Sequence, residues 1–165
     1  MGQILQVIGK KKSGKTTTIL SFIEVARQYN VTLAVLKHSH HDTTSDPPQT
    51  DTERFFKAGA QQVGLKSKNE FFWRSQTADF ELEAQLQSLL QTKNQLILLE
   101  GFKQASYPKL LLLRPQDKRS DFSGRFDAVA SLQPSGNPQA PLDFSAEQTR
   151  KNWFQQWLKK NTLLT

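Results

Sequence analysis

The run Gly9-Lys10-Lys11-Lys12-Ser13-Gly14-Lys15-Thr16 restricts this chain more than any other, because it matches G-x-x-x-x-G-K-[ST] at every fixed position. A loop of this kind belongs between a buried strand and a helix, and both flanks are present. Residues 4–8 form a short apolar run, and over residues 16–29 Ile19, Phe22, Ile23, Ala26 and Tyr29 recur at helical spacing. Gly9 and Gly14 permit backbone geometries that a Cβ would block, so that consecutive N–H groups converge on phosphate oxygens. The following helix adds its N-terminal donors and the positive end of its dipole. Lys15 is expected to reach the β- and γ-phosphates, and the Thr16 hydroxyl to ligate Mg²⁺. The expected ligand is a purine nucleoside triphosphate, held by Gly9, Lys10, Lys12, Ser13, Gly14, Lys15, Thr16 and Thr17.

The remaining chain alternates strand-like and helix-like segments. Residues 32–36, 96–99, 110–113 and 128–132 read as strands, and 62–66 with 70–74 as a tightly joined pair. Helical patterns cover 51–60, with Asp51 as the N-cap, then 79–91 and 146–160. The segment 114–125 is polar and reads as a mobile loop. This alternation predicts an α/β fold, a three-layer sandwich of the P-loop NTPase type, its largely parallel sheet carrying helices on both faces. At 165 residues, one domain over 1–165 is the economical reading.

The absence of cysteine excludes disulfides and thiolate metal sites. No apolar stretch reaches the roughly 20 residues that a membrane span needs, so the cytoplasm is the expected compartment and no membrane partner is expected. The net charge of +7 favours anionic ligands, but without a recognised nucleic-acid motif no nucleic-acid partner is expected.

Beyond the phosphate loop, Glu100 ends the apolar run 96–99, where such proteins place an acid beside the phosphates. It is a candidate metal-side residue with Thr16, and a catalytic candidate with Lys15. His38, His40, His41 and Asp42 are candidates for a metal site or for polar contacts to substrate, phosphate or partner. Asp46, Asp51 and Arg54 lie nearby, with Arg54 able to pair with a phosphate or with Asp51. Lys10 stands where the deviant P-loops of dimerising ATPases such as ParA and MinD carry an additional lysine. Here Lys11 and Lys12 replace the glycines that normally follow, and extra charge near a polyphosphate is the simpler reading. No N-K-x-D motif is present, so the pattern does not separate guanine from adenine.

Several of these elements together resemble the molybdopterin-guanine dinucleotide biosynthesis adapter family, MobB. They are the strand leading into residues 9–16, Lys37-His38-x-His40-His41, Asp51-Thr52-x-Arg54 followed by Ala58-Gly59-Ala60, and Leu99-Glu100-Gly101-Phe102-Lys103 leading to Pro108-Lys109. The likeness covers about the first 115 residues. The chain departs at Gln49-Thr50, where the family often has Gly-Lys. The resemblance implies a GTP- and Mg²⁺-binding homodimer with slow GTP hydrolysis. It would assist the molybdenum cofactor guanylyltransferase that joins GMP to molybdopterin, and would meet molybdopterin-bearing proteins. Two other functions share the phosphate loop. One is a small-molecule kinase with a lid drawn from Arg114, Arg119 and Arg125; the other is a nucleotide-dependent metallochaperone using the histidines.

Overall fold

A computed structural model describes residues 2–38, 50–75, 81–91 and 95–164. In chain order these give β1 (Gln3–Gly9), α1 (Lys15–Gln28), β2 (Leu33–Lys37), α2 (Asp51–Lys57), β3 (Gln62–Lys66), β4 (Phe71–Ser75) and α3 (Leu82–Gln91). There follow β5 (Leu96–Glu100), β6 (Lys109–Leu112), β7 (Ala128–Ser131), β8 (Leu142–Asp143) and α4 (Glu147–Lys160). They fall into two compact units, one of residues 1–38 with 83–165 and one of residues 39–82.

The larger unit is built on a six-stranded sheet in the order β2-β5-β1-β6-β7-β8, with every pairing parallel. Every residue of β5 and β6 is buried, as expected of central strands covered on both sides. The register alternates two sets of side chains. Leu5, Val7, Leu96, Leu98, Leu110, Leu112 and Ala130 join α1 and α4 in one core. That core holds an aromatic stack: Phe22 lies flat on Phe154 at 4.2 Å between ring centres and also stacks on Trp153 at 5.7 Å. Arg150 of α4 is buried with its donors used: Nε donates to Ser21 Oγ at 3.1 Å and Nη1 to the Phe144 carbonyl at 2.6 Å.

The opposite set, Ile8, Leu111, Leu113 and Val129, meets Phe122, Phe126 and Ala140. This part of the second face is therefore closed by connecting loops rather than by a helix, a detail the alternating pattern does not reveal. α3 lies on the return path from β2 to β5, and its Leu86 is buried.

In the smaller unit β3 and β4 form an antiparallel hairpin with Gly64 opposite Trp73. The Thr50 side chain accepts from the backbone N–H of Glu53, so Thr50 is the N-cap of α2 and Asp51 its first helical residue. Thr50 suits the cap because its extended backbone aims the hydroxyl at a free N–H. The Arg74 guanidinium covers the Phe56 ring at 3.7 Å. Leu65, Phe71 and Trp73 are more than half exposed.

Candidate functional site

Strand β1 delivers Gly9 to a tight turn closed by a hydrogen bond from Ser13 N–H to the Lys10 carbonyl. A Cβ at Gly9 would lie 2.3 Å from Ser13 Oγ and 2.6 Å from the Leu112 carbonyl oxygen, so only glycine fits. Gly14 has φ 92, and a Cβ there would strike Leu132. Lys12 also takes a left-handed backbone, φ 65. The turn leads straight into α1, which has no side-chain cap and no acidic residue in its first turn. Its leading N–H groups thus carry no competing negative charge. Ser13 Oγ is buried without a hydrogen-bond partner among the described residues.

Lys15 arches back over the turn, donating to the carbonyls of Gly9 at 3.2 Å and Lys10 at 2.9 Å. Burial pushes its pKa down; the Glu100 carboxylate pulls it up, while Lys103, Lys37 and Arg114 push it down further. Thr16 Oγ1 donates to Glu100, 3.2 Å and 3.1 Å from its two oxygens. The metal-side pair expected from sequence is thus in contact, although its members are 84 residues apart. Thr17 lies exposed in the first turn of α1.

Two contributors have no role assigned from the sequence, although Lys37 opens the Lys37-His38-x-His40-His41 element. Lys37, the last residue of β2, places Nζ 3.3 Å from Glu100 Oε1. Gln6 is fully buried, and its amide donates to the carbonyls of Gly101 and Phe102, fixing the turn that follows Glu100. A lone glutamine inside the apolar run 4–8 was the one hint.

Lys10 does not point out of the loop. Its ammonium pairs with Asp121 and lies 3.5 Å from Asp117, and these carboxylates raise its pKa. Asp117 is buried and held by Arg114, whose Nη2 approaches Oδ1 at 2.8 Å and whose Nε lies 3.0 Å from Oδ2. Asn137 Nδ2 donates to the carbonyls of Arg114 and Asp117, and Arg114 Nη1 reaches the Lys11 carbonyl at 3.4 Å. Residues 114–121 are therefore an ion-paired brace against the phosphate loop rather than the loose loop the polar composition suggests. Arg114 is committed to Asp117, and Arg119 lies over the Phe126 ring at 5.5 Å.

Hydrogen bonding from Arg114 lowers the pKa of Asp117 to about 2. With the unfolded value near 3.8, this ionised contact contributes fully above that pH and is lost as pH falls toward 2. Asp117→Asn should therefore cost about 2 kcal/mol at pH 7, the gap to the parent closing near pH 2 in urea melts.

Of the histidines, His38 donates its backbone N–H to the Glu100 carbonyl at 3.0 Å and packs its ring 5.1 Å from that of Phe102. His40, His41, Asp42 and Asp46 lie outside the described residues, among which no group of three potential metal donors occurs. In the smaller unit Arg54 pairs with Asp51 at 3.2 Å.

Comparison with known proteins agrees with this architecture. The model of a family described as molybdopterin guanine dinucleotide synthesis protein B, MobB, matches residues 4–131. The molybdopterin-guanine dinucleotide biosynthesis adapter protein of Escherichia coli K12 is 31% identical, the match covering 90% of this chain and 89% of that one. Its counterpart in Haemophilus influenzae is 29% identical over 94% of this chain and 89% of its own. The crystal structure of Bacillus subtilis MobB superimposes with a TM-score of 0.76 at 22% identity, covering 93% of this chain and 97% of that one, a likeness of fold. A family match running from β1 through β7, with a relative of 31% identity across nine-tenths of the chain, makes this protein a member of the MobB family.

Proposed function

We propose that this protein is a GTP-binding adapter in molybdenum cofactor biosynthesis, assisting the attachment of GMP to molybdopterin that forms molybdopterin guanine dinucleotide. The observation that carries the nucleotide reading is the contact of Thr16 at the start of α1 with Glu100 at the end of β5, next to Lys15 folded over a turn whose Gly9 and Gly14 leave no room for a Cβ.

These residues fit a Mg²⁺-nucleotide. One hydroxyl and one carboxylate are too few for a metal cage made by protein alone, but suit Mg²⁺, which keeps waters and takes phosphate oxygens. The unpartnered Ser13 Oγ and the uncapped start of α1 offer donors to the phosphates. When bound, the metal would neutralise charge between the β- and γ-phosphates. Glu100 already meets the Thr16 hydroxyl at the start of α1, which suits metal support better than activation of water.

In this reading the partners are the molybdenum cofactor guanylyltransferase and molybdopterin-bearing proteins, in the cytoplasm. The protein acts as a homodimer; exposed Leu65, Phe71 and Trp73 are the kind of apolar surface that association covers. Calorimetric titration tests the core of the proposal. GTP should bind only weakly without Mg²⁺, and Glu100→Ala should lower the Mg²⁺-dependent affinity by about tenfold, roughly 1.4 kcal/mol, with little change in melting. GTP binding no tighter than ATP binding would sink the guanine assignment.

A further inference from the structure

We propose that Lys37 is a second ammonium of the phosphate site: it holds the metal's place on Glu100 and, when Mg²⁺ arrives with the nucleotide, moves onto the terminal phosphate. The inference rests on the Mg²⁺-triphosphate reading above and adds a residue to it.

The sheet register puts Lys37 there. Lys37 pairs with Glu100 across β2 and β5, and Glu100 pairs with Val7 across β5 and β1. Residues paired across a parallel ladder project from the same face, and Val7 belongs to the core beneath α1. Lys37 and Glu100 therefore share the face on which Thr16 opens α1.

One oxygen is contested. Glu100 Oε1 lies 3.3 Å from Lys37 Nζ and 3.2 Å from Thr16 Oγ1. Thr16 is the hydroxyl suited to Mg²⁺, so the ammonium sits beside the ligand pair that the metal needs. Mg²⁺ requires oxygen ligands at about 2.1 Å and carries twice the charge, so the two cations cannot share this carboxylate comfortably. Mobility decides which group yields. The Glu100 side chain is 9% exposed and fixed by Thr16, whereas the Lys37 side chain is 58% exposed on a flexible stem at an edge strand.

Charge decides where Lys37 goes. Through Glu100 the Lys37 ammonium stands beside Thr16, the chain neighbour of Lys15, so two ammonium groups lie near the same turn and repel each other. A terminal phosphate held by Lys15 would reverse this repulsion by placing negative charge between the two cations. An ordinary exposed ion pair would have neither consequence.

The test is titration of GTP and GDP into the full chain at stepped Mg²⁺, using the parent, K37M and K37R. K37M keeps the stem and removes the charge; K37Q is a second neutral variant. In the neutral variants the Mg²⁺ concentration for half-maximal binding of GDP, which lacks the terminal phosphate, should fall at least about threefold, because a competing cation is gone. Their preference for GTP over GDP at saturating Mg²⁺ should fall about tenfold, the scale of a lost charge-assisted hydrogen bond. K37R should retain most of that preference. An unchanged Mg²⁺ midpoint, or an unchanged GTP:GDP ratio, in neutral variants that melt like the parent overturns the role of Lys37 alone. Absence of Mg²⁺-dependent GTP binding in the parent overturns the underlying site reading, and this inference with it.

Discussion

Lys15→Ala should weaken GTP binding by ~1–3 kcal/mol, roughly 5- to 150-fold in Kd, while the melting temperature moves by no more than about 2 °C. The asymmetry follows from what Lys15 does without ligand. Its ammonium is half-buried and, among the described residues, donates to the carbonyls of Gly9 and Lys10. Burial works against its charge, so removing it relieves a desolvation cost as well as breaking two hydrogen bonds. A triphosphate changes that balance, because the same ammonium then faces several phosphate charges at short range. Parallel calorimetry and thermal melts of parent and variant measure both quantities. Normal GTP affinity in Lys15→Ala would show that the phosphates are held elsewhere.

The largest loss of stability is expected at Phe22. Its ring is fully buried between Phe154 and Trp153, joining α1 to α4 over the sheet. Phe22→Ala should cost about 3–5 kcal/mol, since a close-packed aromatic stack cannot collapse to fill the space. For a chain of this length that corresponds to a melting shift of roughly 6–20 °C. Phe22→Leu should recover more than half of it. Chemical denaturation gives the free energy, and a loss below about 1 kcal/mol would mean the two helices are not held by this stack. GTP affinity per folded molecule should change little, because Lys15 and Thr16 are fixed at the start of α1, about two turns from Phe22, by the glycine turn.

How much of this was legible in the residues can be seen from particular cases. The turn between β1 and α1 was legible because its geometry depends on residue types at fixed spacing, and β3–β4 because a short run between two β-rich segments makes a hairpin. The α2 cap was misplaced by one residue, since Thr50 and Asp51 are both good capping residues and only backbone direction chooses between them. The strand β8, two residues long, carries too little pattern to be seen. Segment 114–121 looked mobile because its composition is polar, yet a buried carboxylate and the distant Asn137 hold it in place. Lys37 was hidden for a related reason. Its importance comes from a register partner 63 residues away, and nothing in its neighbourhood along the chain announces that partner.

The order of strands in the sheet bears on how the site comes into being. β1 lies between β5 and β6, so its hydrogen-bonding neighbours on both sides come from residues 96 onward. During synthesis the glycine turn leaves the ribosome early but has no lateral support until about a hundred residues have been made. Closing so long a span is slow, and α2 with the β3–β4 hairpin, over residues 51–75, can form while the first strand waits. Competence to hold a nucleotide should thus arise late and abruptly, in the step that zips β5 beside β1 and brings Glu100 to Thr16.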